Sequence, residues 1–599
     1  MCLQRIAVLI AGGLALGLGT AAEAQQPVRP AAYRNFKAAI YVTVNDTKRL
    51  ANPVTFERDF ARASSQLHFD KVYIEAYRDR VFATDTELEA VKRQFQAKGI
   101  ETSGGITLAA GGSGGQFGTF DYELPADRAE AERAVRLIAR NFDEVILDDF
   151  FFYTSKSDAD IAAKGNRSWT DYRVDKMREA SRNLVLGPAK QENPRVRVII
   201  KYPNWYEHFH GLGYDLAEQA KMFDAIYTGT ETRDPIVTDQ LLQQYESYEI
   251  YRYLSNVRPG ANLGGWVDTF STRSIDRYAE QLWDTMFAKA PEIMLFNWHP
   301  MAEAAPATPG ERPWSNQATT FRWPMTIGSG WATAANQALH IADEVVGQLG
   351  SPTGVASYRP PHATGEDFLH NYIGNLGVPI ELSPQYPASA KTILLTRAAA
   401  ADPGIIAKVK ASLQGGAKVI VTSGFVEALQ GKGFEDLAEW QVTGHTIAID
   451  QYFDGFGAGN GTELKEAGKT HSVLLPEVRF YTNDSWGIIR GVASAKGFPI
   501  VLMNHYSKGT LYLWTMPDNF GDLYELPRPM VTRIKDYLFG DIPVRIDAPD
   551  HVGLFTFDNG AFIVENYRDD AAQVRIVRNT RTQAEAVTIP PHSFRLFKP

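Results

Sequence analysis

Between Phe36 and about Pro300 a short strand-like run is followed by a helix-like stretch eight times over, and this alternation restricts the fold more than any other feature of the chain. The strand candidates lie at 38–44 (AAIYVTV), 71–77 (KVYIEAY), 100–107 (IETSGGIT) and 144–150 (EVILDDF). Four more follow at 196–203 (VRVIIKYP), 223–231 (FDAIYTGTE), 262–270 (NLGGWVDTF) and 292–298 (EIMLFNW). The run at 144–147 has no polar alternation, as expected of a parallel strand covered on both faces. Amphipathic stretches such as 126–140 and 274–289 separate the runs; Ala134, Leu137, Ile138 and Asn141 recur at helical spacing in or beside the first, and Ile275, Tyr278, Leu282 and Met286 in the second. Eight such units predict a TIM (β/α)8 barrel. The rival, an open doubly wound sheet, rarely carries so many uninterrupted repeats.

A barrel converts strand order into a set of neighbours, because the C-terminal ends of all eight strands share one mouth. Strand four ends in Asp148-Asp149 and runs into the aromatic cluster Phe150–Tyr153. Acids beside aromatic rings suit a sugar: rings stack on its apolar face, while one carboxylic acid protonates the leaving oxygen and one carboxylate attacks the anomeric carbon or activates water. The other strand ends add Glu75, Lys201, Tyr202, Trp205, Glu231, Trp266, Asp268, Trp298 and His299 as candidate substrate-binding or catalytic residues. Successive strand residues face opposite ways, so Asp148 and Asp149 are expected to differ in role, one facing the mouth and the other bonding Lys201 or a backbone amide. Blander readings stand beside these. Asp268 fits an N-cap, Glu231 a salt-bridge partner of Arg233, and Glu75 a partner of Lys201. Each tryptophan fits core packing, and His299 a loop.

The first residues read as a secretory signal: Arg5, an apolar core from Ile6 to Leu18, and the small-residue cleavage site Ala22-Glu23-Ala24. A periplasmic or secreted location is the expectation, with residues 1–24 removed. The core is too short to span a membrane. The lone cysteine, Cys2, leaves with the signal, so no disulfide, thiol nucleophile or cysteine-bound metal is expected in the mature chain. A net charge of −9 without a basic block argues against nucleic-acid binding.

Beyond the barrel, assigned to 33–325, prolines 306, 309, 313 and 324 and tryptophans 314 and 323 mark a packed linker over 301–330. A helix over 331–349 and short buried strands in PIELSP, TILLTR and AKVIVTSG predict a second α/β domain, 331–541. Asp402-Pro403 is expected to cap the helix that runs to Leu413. Alternating residues in GLFTF, AFIVEN, QVRIVR and SFRLF predict a small antiparallel β-domain, 543–599.

This order, a barrel, a flavodoxin-like or amidotransferase-like α/β domain and a short β-domain, resembles that of the family 42 β-galactosidases. The resemblance covers nearly the whole mature chain at the level of architecture. The active-site motif departs from it, since that family's Asn-Glu pair after strand four is replaced by LDDFFFY, which is similar to the segment of other glycoside-hydrolase-like barrels. The acids and aromatics at the strand ends, together with this architecture, lead to the expectation of a glycoside hydrolase acting on an oligo- or polysaccharide, with no metal or other cofactor. The resemblance also implies a middle domain used for oligomerisation. That domain is expected to be non-catalytic, since amidotransferase chemistry needs a cysteine. Several retaining α-glycosidase barrels place the nucleophile after strand four and the acid/base after strand six. The likeness makes Asp149 the expected nucleophile or base and Glu231 the acid. A glycan-binding barrel without a competent acid pair is the alternative. A metal-dependent deacetylase would need converging ligands, and His299 is the only histidine at a strand end.

Two weaker signals complete the reading. The glycine-rich run 109–118 lacks the order of a phosphate cradle and fits a loop over the mouth. The insertion 155–173 is expected to wall the site, with Arg167 and Trp169 as contacts; its Asp158, Asp160 and Asp171 lack calcium-loop order.

Overall fold

The computed structural model describes residues 30–599 except 112–117, 236–237, 239–241, 273–274, 304–329, 456–460, 470 and 581–582. The signal segment, the centre of the glycine-rich run and most of the 301–330 linker lie outside the described residues.

The eight runs form a closed parallel barrel in sequence order. Its strands are β1 (Lys37–Val42), β2 (Lys71–Glu75), β3 (Glu101–Ile106), β4 (Glu144–Leu147), β5 (Arg197–Tyr202), β6 (Ala225–Gly229), β7 (Asn262–Asp268) and β8 (Glu292–Phe296). Tyr41, Tyr73, Ile146, Ile199, Tyr227, Trp266 and Met294 fill the interior. The residues between them, among them Ile40, Ile74, Leu147, Ile200 and Leu295, join the larger core that includes the surrounding helices. Burial on both faces explains why these strands show so little polar alternation. Tyr227 crosses the interior because β7 carries glycine opposite it: a Cβ on Gly264 would lie 2.3 Å from its ring. A polar plug closes the N-terminal end, where Lys71 pairs with Glu144 at 2.5 Å and Tyr73 and Tyr227 donate to Glu292 at 2.9 and 3.2 Å.

The helix Pro125–Asn141 follows β3 and buries Ala134, Leu137 and Ile138. Its first-turn proline has no N–H to leave unpaired. The helix Ile275–Phe287 is buried along its whole length, since the helix Gly330–Val346 and the C-terminal domain cover it. That last helix, expected in the second domain, packs on the barrel instead. Trp283 Nε1 donates to Ala338 O at 2.9 Å, and Asp343 accepts the backbone amides of Arg34 and Asn35.

The second sheet has nine strands, and its first five are parallel in the order Ile380–Ser383, Val355–Tyr358, Thr392–Leu395, Lys418–Thr422, Gly509–Trp514. In chain order this is 2-1-3-4-5, the flavodoxin-like arrangement. The remaining strands are antiparallel and come from 451–506. The helix running through Leu413 starts at Ile405, with Gly404 at its cap. Asp402 instead accepts from Gly404 N at 2.8 Å and pairs with Lys408, so the expected cap lies two residues too early. The C-terminal strands pack as two small antiparallel sheets, one of which recruits Pro352–Thr353.

The helix Glu246–Val257 ties these parts together. Ser247 Oγ donates to Thr230 O at 2.7 Å, beside the end of β6. Two turns on, Arg252 and Asn256 grip Glu381 of the second sheet at 2.7 Å each.

Candidate active site

Strand alternation sends Glu75, Asp148 and Lys201 inward, two residues beyond the interior positions Tyr73, Ile146 and Ile199. Glu231 lies just past the end of β6 and turns to the same point. Lys201 Nζ is the centre of the constellation. It lies 2.9 Å from Asp149 Oδ2, 3.1 Å from Glu231 Oε1 and 3.4 Å from Asp148 Oδ1, and 4.2 Å from the centre of the Trp266 ring beneath it. Two carboxylate oxygens at 2.9 and 3.1 Å from one nitrogen are no more than about 6 Å apart, the sum of those distances.

The two neighbouring aspartates differ sharply. Asp148 is well bonded: Oδ2 accepts from Arg78 at 3.0 Å and lies 3.2 Å from the Thr107 hydroxyl, and Oδ1 accepts the Asp149 amide at 2.8 Å and faces Lys201. Asp149 has one cation contact, to Lys201, and its backbone carbonyl accepts from Tyr214. Glu231 Oε1 meets Lys201, while its other oxygen is buried without a hydrogen-bond partner.

Electrostatics follow from this wiring. Burial acts to raise Asp148, but Lys201 and Arg78 outweigh it and hold that carboxyl down at about 2. Burial pushes Asp149 up to about 8; Lys201 opposes the rise, and the charges of Asp148 and Glu231 add to it. Burial raises Glu231 as well, again opposed by Lys201. Burial opposes the charge on Lys201, yet its three carboxylates raise it above the usual lysine range, so it stays a cation. The cluster thus keeps an anion at Asp148 and a proton on the Asp149–Glu231 pair near neutrality.

Residues 25–348, more than half of the chain, match the family model described as probable glycosyl hydrolase, catalytic domain. The chain belongs to this glycosyl hydrolase family. Residues 350–519 match the second domain of the uncharacterized protein SSO3021, and 543–586 a probable glycosyl hydrolase C-terminal domain. SSO3021 of Saccharolobus solfataricus is itself 28% identical over 296 residues, 44% of this chain and 48% of that protein; the chain thus spans about half the length of that curated relative. Among solved structures, the β-galactosidase from Rahnella sp. R3 superposes with a TM-score of 0.62 at 10% identity, covering 95% of this chain and 99% of the other. The enzyme from Bacillus circulans sp. alkalophilus gives 0.59 at 10% identity over 94% and 99%. At such identity these likenesses concern the fold, and at that level the expected domain order of family 42 β-galactosidases holds.

The remaining sequence candidates divide in this glycosyl hydrolase barrel between mouth, interior and exterior. Glu75 sits at the mouth but is fully enclosed, accepting from Tyr41, Val44 N, Thr107 and Arg78. Its cation is Arg78, at i+3, rather than Lys201. Burial raises Glu75, with Arg78 opposing. Lys201 spends its contacts on protein carboxylates, which makes it the counter-ion of the cluster. Arg233 clamps Asp268 at 2.7 Å, and Asp268 also accepts Phe270 N at 3.0 Å, so this acid holds a turn. Trp266 is 2% exposed inside the barrel, a floor beneath the acids rather than a platform above them.

Tyr202 and Trp298 leave the mouth altogether. Tyr202 alternates outward and donates to Gln219, and Trp298 packs edge-on against Phe69 and Phe95. Trp205 is half-buried against Phe152 and Tyr214. His299 lines a rim cavity of about 490 Å³ with Thr43, Asn45, Phe270 and Asn297, between the ends of β7, β8 and β1. The glycosyl hydrolase rim also holds aromatics that sequence reasoning passed over: Phe270, 56% exposed, lies 6.1 Å from Phe296, whose ring stacks on Trp266. In the insertion after β4, Arg167 pairs with Asp175 and Trp169 packs on Tyr172, away from any contact with the acids. Asp160 and Asp171 serve as capping partners of Ser157 and Ser168.

Proposed function

We propose that the chain is an exported glycoside hydrolase whose catalytic pair is Asp149 and Glu231. The observation that carries this reading is the pair itself: two carboxyls from β4 and β6 meet one lysine nitrogen, no more than about 6 Å apart by their nearest oxygens, and hold a proton near neutrality. Glycoside hydrolysis needs one protonated and one ionised carboxyl, and retaining pairs stand about 5–5.5 Å apart against about 6.5–9.5 Å for inverting ones. A nearest-oxygen separation of no more than about 6 Å is compatible with a retaining pair. We assign the proton to Asp149 as general acid and make Glu231 the nucleophile, the reverse of the expected division, because the Asp149 carboxyl faces the charges of both Asp148 and Glu231. Asp148, anionic and well bonded, orients Asp149 through its amide and through Lys201. An oligo- or polysaccharide is the proposed substrate, with Phe270 and Phe296 offering apolar faces at the rim. Export rests on the signal read in residues 1–24; N-terminal sequencing of the fractionated protein tests it.

The deciding experiment is hydrolysis of a panel of glycans and aryl glycosides by wild type, Asp148→Asn, Asp149→Asn and Glu231→Gln. Glu231→Gln should lose at least about 10³-fold on every substrate. Asp149→Asn should lose that much on poor leaving groups and far less on nitrophenolates, which depart without a proton. Full activity in both variants would refute the pair. Exposures of only 3–6% at Asp148, Asp149 and Glu231 favour the second reading, a glycan-binding barrel. Binding of a glycan without hydrolysis by wild type would select it.

A further inference from the structure

A second carboxylate cluster lies where the barrel meets the second domain, apart from the site just described. Glu207 follows β5, Glu249 lies on the helix after β6, and His370 begins the helix Leu369–Asn375 of the second domain. All three are buried, and one donor atom from each lies within 4.8 Å of the others. What distinguishes them from an ordinary salt-bridge network is unused donor capacity. Glu207 Oε2 accepts from Arg359 at 3.0 Å and Phe368 N at 2.7 Å, but Oε1 has no partner. Among the described residues neither oxygen of Glu249 accepts from an N–H or hydroxyl group, its one hydrogen-bonding neighbour being the carboxyl of Glu246. His370 Nδ1 is likewise unpartnered.

The imidazole is prepared for a ligand. Ser357 Oγ gives its single proton to Leu394 O at 2.8 Å, so toward His370 Nε2, also at 2.8 Å, it can only accept. The ring is therefore protonated at Nε2 and presents a lone pair at Nδ1. A hydrogen bond fixing the far ring nitrogen is the usual outer support of a metal-bound histidine. Charge points the same way. Arg359 answers Glu207 and Asp367 and acts on Glu249 only at longer range, and among the described residues neither Glu249 nor Glu246, which takes Asn371 Nδ2 at 2.9 Å, forms an ion pair with a cation. Buried carboxylates in that position need either protons or a metal ion.

We propose that Glu207, Glu249 and His370 bind one divalent transition-metal ion that joins the barrel to the second domain. Two carboxylate oxygens and one imidazole nitrogen suit Zn²⁺ or Mn²⁺. Tetrahedral bonds of about 2.0–2.2 Å place ligand atoms about 3.3–3.6 Å from one another, so the side chains close by up to about an ångström on binding. Glu249 shares its helix with Ser247, the residue that braces the backbone before Glu231, so the ion would stiffen that loop without touching substrate.

The rival is a proton shared between Glu246 and Glu249 in place of the ion, and the experiment separates the two. The full mature chain, free of any affinity tag, is stripped with chelator and dialysed. Zn²⁺ and Mn²⁺ are then titrated by calorimetry, with metal content measured by mass spectrometry and thermal midpoints recorded. One equivalent per chain, a raised midpoint, and loss of both in Glu249→Gln and in His370→Gln are expected. Gln at 249 hydrogen-bonds where a protonated acid would, so it keeps the fold in the rival case. Wild type that takes up neither metal, or a Glu249→Gln chain that binds it with unchanged stoichiometry, overturns the site.

Discussion

Asp284 and Glu565 allow the burial of carboxyls in this fold to be tested without a substrate. Asp284, on the barrel helix Ile275–Phe287, accepts from Tyr567 at 2.9 Å and faces Glu565 of the C-terminal domain; both acids are fully buried. Burial pushes Asp284 up to about 8, and burial with the Asp284 charge lifts Glu565 well above the carboxylate range. A raised acid holds its proton in the folded chain after the unfolded chain has lost it. The associated stability is therefore fully present below about pH 4 and disappears as pH climbs toward about 8. Each proton is worth about 1.4 kcal/mol per pH unit, so Asp284 alone removes about 4 kcal/mol between pH 5 and 8, about 3 °C in midpoint for a chain this long unfolding as one unit. The double variant Asp284→Asn/Glu565→Gln keeps an acceptor for Tyr567 and a hydrogen-bonded pair while titrating at neither position. Unfolding followed by circular dichroism at pH 5, 6.5 and 8 should show the variant gaining on wild type at each step. Other raised acids are common to both chains and cancel in the difference. Parallel pH curves would refute the reasoning.

Two further outcomes follow from the same physics. Lys201→Met strips the shared cation from Asp148, Asp149 and Glu231 and should cost about 3–5 kcal/mol at pH 8, with much of it regained at pH 5 as Asp149 and Glu231 take up protons; a loss independent of pH would contradict the wiring. Trp298→Ala should lower stability by about 3–5 kcal/mol through the cavity it leaves while KM and kcat stay near wild type, because the ring packs behind the barrel; a selective rise in KM would return Trp298 to the mouth.

The barrel was legible because strands buried on both faces leave apolar runs of the right length at the right intervals. Alternation within those strands also orders the site. From Ile199 inward, Lys201 must follow inward and Tyr202 must face out, so grouping Tyr202 with the mouth overlooked a rule the run itself displays. The rule lapses beyond a strand end. Glu231 reaches the cluster and Trp298 leaves it, although both sit just past their strands, because the turn that follows decides the direction. Arg78 was within reach as an i+3 partner of Glu75, and the short hairpin Tyr77–Arg78 with Val81–Phe82 is what folds it back. No local pattern foretells that Glu207 and His370 meet. They lie on different domains, and only the packing of one domain on the other joins them.

The helix Glu246–Val257 makes the barrel a poor candidate for dissection. Its first turn carries the brace behind Glu231, and its last turns are anchored on Glu381 across the domain boundary. A chain cut near residue 348 would leave Arg252 and Asn256 without their carboxylate and expose Tyr253, whose hydroxyl donates to Arg359 O at 3.1 Å. Libraries, domain grafts and minimal expression units built from this barrel therefore inherit a dependence that its own closure conceals: the second domain is part of the scaffold that holds the segment carrying Glu231.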